Sequence, residues 1–109
     1  MTEPELAQQL RDDLQRIPDC IFCEQVWMAC FTHARRPQAD RLRIDFVIEL
    51  SGRLLGIEVK APAEHAADLG RQLLQCAQYA AGKITVNTAR VPAHWIGQPL
   101  TAVFLRTTR

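Results

Sequence analysis

Lysine is scarce in this chain: of 13 basic residues only Lys60 and Lys83 are lysines, and the rest are arginines. Acid is missing from the last third, since all 12 Asp and Glu residues lie between Glu3 and Asp68. Residues 1–68 therefore carry a net charge of −4 and residues 69–109 a net charge of +5. Such a division can turn one face toward anions and another away from them. No apolar run approaches the ~20 residues that cross a bilayer, and the first residues are acidic and polar. The expectation is a cytoplasmic protein with neither a membrane span nor a signal peptide. Repeats, low-complexity tracts and linkers are also missing. What is present is a globular composition, 48% hydrophobic and 23% charged, over 109 residues. That excludes a disordered or fibrous chain and predicts one domain, residues 1–109.

The four cysteines read as reduced thiols rather than a disulfide frame. Cys20-x-x-Cys23 and Cys30-x-x-His33 have the spacing of structural zinc ligands. However, only the six residues 24–29 separate the pairs, and they read as an apolar strand. A strand of that length holds the pairs roughly 20 Å apart. Buried thiols are the expectation.

Residues 3–16 space Leu6, Leu10 and Leu14 four apart, which predicts an amphipathic helix. Thr2 is its candidate N-cap, Pro4 falls in its first turn and Pro18 ends it. Residues 21–32 read as a strand, and residues 33–40 as a polar loop. Residues 42–50 and 53–60 are two β-type runs joined by Ser51-Gly52, the strongest hairpin signal present. Residues 63–82 read as a helix with an apolar stripe of Leu69, Leu73, Cys76 and Ala80, stopped by Gly82. Residues 84–88 and 100–107 are further short β runs. The predicted fold is α/β, a central mixed sheet of about four strands flanked by helices.

A two-residue turn at Ser51-Gly52 pairs Leu50 with Arg53. Counting back sets Asp45 across from Glu58 and Arg43 across from Lys60. Directly opposed residues share a face, and so do Glu58 and Lys60, two apart. The other face carries Ile44, Phe46, Ile48, Leu55, Ile57 and Val59, a core face. Two opposed carboxylates repel each other. Either one stays protonated, or a cation such as Mg²⁺ sits between them, or Arg43 and Lys60 neutralise an exposed pair.

Asp45 followed by Glu58-Val59-Lys60 resembles the D-x(n)-E-x-K signature of the PD-(D/E)XK nuclease superfamily. The flanking Arg43-Ile44-Asp45-Phe46-Val47 and Gly56-Ile57-Glu58-Val59-Lys60 are similar to its strands. Gln75 and Tyr79, four apart in the next helix, resemble the Q-x-x-x-Y motif of its RecB-like branch. The small stand-alone VRR-NUC branch is also similar. The resemblance spans residues 42–82 and implies a restriction-endonuclease-like fold and a small metal-dependent deoxyribonuclease. The implied setting is phage or mobile-element DNA processing, recombination or repair.

The resemblance implies Mg²⁺ or Mn²⁺ held by Asp45, Glu58 and the Val59 carbonyl, with Glu24 a further candidate ligand and Glu5 its competitor. Lys60 would orient or deprotonate the attacking water, which an arginine could not readily do. Gln75 and Tyr79 would hold water, lysine or phosphate. Arg35, Arg36, Arg41, Arg43 and Arg71 are candidates to track a phosphate backbone, and Trp95 to stack on bases. Trp27 reads as core, and Glu49 and His65 as solvated. The expected partner is DNA, and a homodimer would double the phosphate contacts. The alternative is a non-catalytic nucleic-acid- or protein-binding module that keeps the nuclease fold.

Overall fold

The computed structural model describes residues 1–29, 42–62, 65–85 and 91–107. Helix α1 (Glu3–Arg16) starts where Thr2 accepts a hydrogen bond from the Glu5 N–H at 3.3 Å. The strands are β1 (Ile21–Ala29), β2 (Leu42–Leu50), β3 (Arg53–Lys60), β4 (Lys83–Ile84) and β5 (Thr101–Arg106). Helix α2 (Ala66–Ala81) links β3 to β4, and a short 3₁₀ turn (Ala93–Trp95) precedes β5. The five strands form one mixed sheet in the order β4-β1-β2-β3-β5. The strand count thus exceeds the expected four. The shortest strand, β4, is two residues paired to the end of β1 and overlaps the β run expected at 84–88 only at Ile84.

Ser51 and Gly52 both have positive φ, 50° and 77°, as a tight hairpin with right-handed twist requires. The β2–β3 register matches the expectation, running from Leu50↔Arg53 to Phe46↔Ile57. There the ladder stops. Glu58, Val59 and Lys60 pair instead with Phe104, Leu105 and Arg106 of β5, in parallel.

Both sheet faces are covered. On one, Phe46, Ile48, Ile57 and Val59 pack under Leu14, with Leu6, Ala7 and Leu10 of α1 beside them. On the other, Val26, Met28, Ile44, Val47 and Leu54 pack with Tyr79, Ile84, Trp95 and Leu100. Ile44 therefore lies on the opposite face from Phe46 and Ile48, although it is even-numbered like them. The reason is a slip in the alternation. The β1–β2 ladder passes from Glu24↔Phe46 to Val26↔Ile44 and skips Gln25 and Asp45. Gln25 sits at φ 55°, so a distortion crosses both strands at that level.

The stripe predicted for α2 is also corrected. Leu69 and Leu73 are exposed, at 39% and 61%, while Tyr79 is fully buried. The helix turns Tyr79 inward, with Gln75 and Cys76 half-buried beside it. Among the described residues no helix is long and apolar enough to cross a membrane.

At Gly56 the core packs directly on the backbone of β3. A Cβ there would meet Ile44 Cδ1 at 2.5 Å and Leu100 Cδ1 at 2.9 Å. Gly56→Ala should destabilise the domain by about 1–3 kcal/mol, the usual range for overpacking. Adding Ile44→Val should recover part of the loss by removing the clashing methyl. Urea unfolding midpoints of the three chains test this, and a neutral Gly56→Ala would contradict the packing.

Candidate active site

The slip at Asp45 and the end of the β2–β3 ladder coincide, and the polar residues gather there. The Asp45 N–H donates to Glu58 Oε1 at 3.2 Å. The Val59 N–H donates to Asp45 Oδ2 at 2.9 Å. Side chains thus replace the backbone rungs that the distorted strands no longer form, and each carboxylate is tied to the other's strand. Gln25 donates to Asp45 Oδ1 at 3.4 Å.

Glu58 is 4% exposed, so the expected solvent-facing pair is instead half buried. Desolvation pushes the Glu58 carboxyl up to about 7, and a hydrogen bond with the Asp45 carboxylate adds to the rise. The Tyr79 hydroxyl and the Lys60 charge act in the opposite direction. Tyr79 Oη lies 2.7 Å from Glu58 Oε2 and 3.0 Å from the Arg43 carbonyl oxygen. A hydroxyl has one proton. It goes to Glu58 when that carboxylate is ionised, and is free for Arg43 when Glu58 carries its own. Gln75 donates to the same hydroxyl at 3.2 Å. The two helix residues therefore act in series: Gln75 fixes Tyr79, and Tyr79 steers Glu58.

Lys60 follows two residues after Glu58 on the same face of β3. It lines an open groove of about 450 Å³ with Glu3, Pro62, Arg71, Gln72 and Gln75. The Lys60 carbonyl accepts from the Thr107 N–H at 3.0 Å, toward β5. By strand alternation the Val59 N–H and carbonyl point the other way, toward Asp45. Asp45, Glu58, Val59, Lys60, Gln75 and Tyr79 are thus brought together at one end of the sheet.

Other candidates lie elsewhere. Glu24 is held by Arg11 of α1, with Nε to Oε2 at 2.8 Å and Nη2 to Oε1 at 2.5 Å. That occupies it on the α1 face, away from the pair. Glu5 is exposed beside Thr2. The acid that α1 brings to the groove is Glu3, whose Oε1 accepts from the Ala61 N–H at 2.5 Å. Sequence reasoning passed over Glu3 because nothing local links residue 3 to residue 61.

Trp95 is fully buried and its Nε1 donates to Glu49 Oε1 at 3.3 Å. This removes it as a base-stacking surface. Glu49, read as solvated, instead ties Trp95 and His94 to the turn end of β2. Arg43 is exposed, with its guanidinium 5.4 Å from the centre of the half-buried Trp27 ring. Arg71 is exposed and paired with Asp68 in α2. His65 is exposed at the start of α2. Arg35, Arg36 and Arg41 lie outside the described residues, as do Cys30 and His33. Cys20 packs on the α1 face and Cys23 against the other core, so these two cannot share one zinc ion.

Among the described residues no group of three or more His, Cys, Asp or Glu is placed to hold a metal ion. The oxygen donors on hand are the two carboxylates, which meet through their backbone bonds, and the Val59 carbonyl, which strand alternation turns to the same side. Hard oxygens in that number suit Mg²⁺ or Mn²⁺, which keeps several waters and is completed by phosphate. No family model, curated protein or solved structure matches the chain.

Glu58 also sets a pH dependence. The folded chain holds its proton up to about pH 7, against 4.5 for an unperturbed glutamate. Between those values the folded state binds more protons than the unfolded state, so stability falls as pH rises through that window. The drop is no more than about 3 kcal/mol, set by the size of the shift. Melting temperatures in metal-free buffer should decline from pH 4.5 to 7, and Glu58→Gln should flatten the decline. An equal decline in both chains would contradict the assignment.

Proposed function

We propose that this domain is a metal-dependent phosphodiesterase acting on DNA, organised like a PD-(D/E)XK nuclease. The observation that supports this most is the Asp45–Glu58 clasp at the broken ladder, with Lys60 at the next position on the same face. A structural carboxylate pair would be expected to end in arginine partners, as Glu24 does with Arg11. Among the described residues, the hydrogen-bond partners of Asp45 and Glu58 are instead backbone N–H groups, the Gln25 amide and the Tyr79 hydroxyl, and none is a cationic side chain.

Asp45, Glu58 and the Val59 carbonyl would hold the cation. When bound, a divalent cation makes water nucleophilic at neutral pH and relieves charge on the scissile phosphate. Asp45 and Glu58 anchor that end of the substrate site by their fixed positions. Tyr79, held by Gln75, keeps Glu58 in one orientation. Lys60 faces the groove and orients the attacking water or takes its proton. Arg43 and Arg71 attract the phosphate backbone from outside.

The test is cleavage of labelled single-stranded, duplex and branched DNA with Mg²⁺, Mn²⁺ or EDTA. Cleavage should require the cation. Asp45→Asn and Glu58→Gln should each lower the rate by about a hundredfold or more, the scale of losing a charge-stabilising group. Lys60→Ala should fall comparably, and Lys60→Arg should not restore the rate. Cleavage that persists in EDTA, or an Asp45→Asn chain as active as wild type, would overturn the reading. Salt-dependent DNA binding without cleavage under any of these cations would identify a binding module instead.

A further inference from the structure

The sheet has an open edge at β5, and the geometry points to a second copy of this chain as its occupant. We infer that the domain forms a two-fold dimer through antiparallel pairing of β5 with β5 of a second copy. This does not depend on the proposed activity.

The backbone of β5 fixes which groups are free. The Thr107 N–H reaches the Lys60 carbonyl, so Thr101, Val103 and Leu105 turn their N–H and carbonyl groups toward β3. Ala102, Phe104 and Arg106 turn theirs outward, by the alternation of a strand. Consistent with this, the Ala102 carbonyl accepts from the thiol of Cys76 at 3.6 Å, off the β3 side of the strand. The strand has no proline and no bulge within Thr101–Arg106, and its only charge is Arg106 at the end. Among the described residues of this strand, proline, a bulge and a mid-strand charge, devices that usually protect an edge strand, are lacking.

Two apolar surfaces flank this edge. On the α1 face, Val103 and Leu105 are 41% and 36% exposed. On the other, Leu69 and Leu73 lie one above the other on the side of α2 that carries Cys76, the residue at the β5 edge. This is the apolar stripe that sequence periodicity predicts to be buried. In a single copy both leucines face solvent.

The pattern is self-complementary in one register. A two-fold axis normal to the sheet keeps each face on its own side. Centred on Phe104, it sets Phe104 opposite Phe104 of the other copy and Ala102 opposite Arg106. All three outward residues of each strand then find hydrogen-bonding partners. Val103 falls opposite Leu105 of the other copy, and Leu105 opposite Val103, in the narrow non-hydrogen-bonded pairs where side chains pack closest. Moving the axis to Val103 or Leu105 would leave one outward residue beyond the paired strand. The two Arg106 side chains end roughly 14 Å apart along the strands, beyond the screening length of about 8 Å at physiological salt. An edge ~20 Å long and two layers deep gives on the order of 800 Å² in total, at the low end for specific association. The dimer is accordingly weak and concentration-dependent.

Sedimentation equilibrium of the whole chain from micromolar to millimolar concentration tests this. The mass should rise from 12.3 kDa toward twice that value. Val103→Lys with Leu105→Lys should hold the chain at the monomer mass. Oxidation should cross-link a Val103→Cys, Leu105→Cys chain through residues 103 and 105 of different copies, mapped by peptide mass spectrometry. Val103→Cys alone should not cross-link to itself. A monomer at every concentration, a dimer that survives the two lysines, or self-cross-linking of Val103→Cys alone would each overturn the inference.

Discussion

The contact on which the rest of the site depends is the reciprocal bond between the Asp45 and Glu58 segments. The Asp45 N–H holds Glu58, and the Val59 N–H holds Asp45. Regular pairing would give those N–H groups to carbonyls and leave the side chains to solvent. Here the ladder ends at Phe46↔Ile57, and beyond it the carboxylates take over. The arrangement is unfavourable by itself, because it buries a glutamate beside a second carboxyl. The domain offsets this by letting Glu58 keep a proton to about pH 7 and by aiming Tyr79 at it.

Helix α2 serves both the core and this site. Its inward side carries Tyr79, fully buried, and that ring anchors the helix over the sheet while its hydroxyl reaches Glu58. Its other side carries Leu69 and Leu73, both exposed, and Cys76, which meets β5 at Ala102. One helix thereby joins the carboxylate site to the β5 edge. The turn end of the sheet is different in kind. There Glu49 satisfies the buried Trp95 indole and pairs with His94, closing the core rather than opening a reactive surface.

The hairpin and the first helix were legible because their signals are local. Ser51-Gly52 dictates a two-residue turn, and the turn dictates the register through Phe46↔Ile57. Thr2 and Pro4 mark the start of α1 within one turn of the observed element. Bringing Glu58, Lys60, Gln75 and Tyr79 together follows from strand and helix periods once the chain order is known. The slip at Asp45 was not legible, because it arises from Gln25 on a different strand adopting a left-handed backbone that no glycine announces. The exposure of Leu69 and Leu73 escaped for a similar reason. Periodicity says that a stripe is apolar, and only the width of the sheet says whether it is covered. Glu24 is drawn away from the pair, and Glu3, which no local sequence signal marks, reaches the groove, because α1 sets Arg11 against Glu24 and residue 3 against residue 61.

The central claim is that Asp45 and Glu58 together take one divalent cation beside the scissile phosphate. Anomalous diffraction from crystals of the wild-type chain grown with Mn²⁺ and a phosphorothioate DNA oligonucleotide measures this directly. The account predicts one manganese peak in contact with both carboxylates and with a phosphate oxygen. DNA bound with manganese elsewhere, or with no manganese at these two side chains, would contradict it.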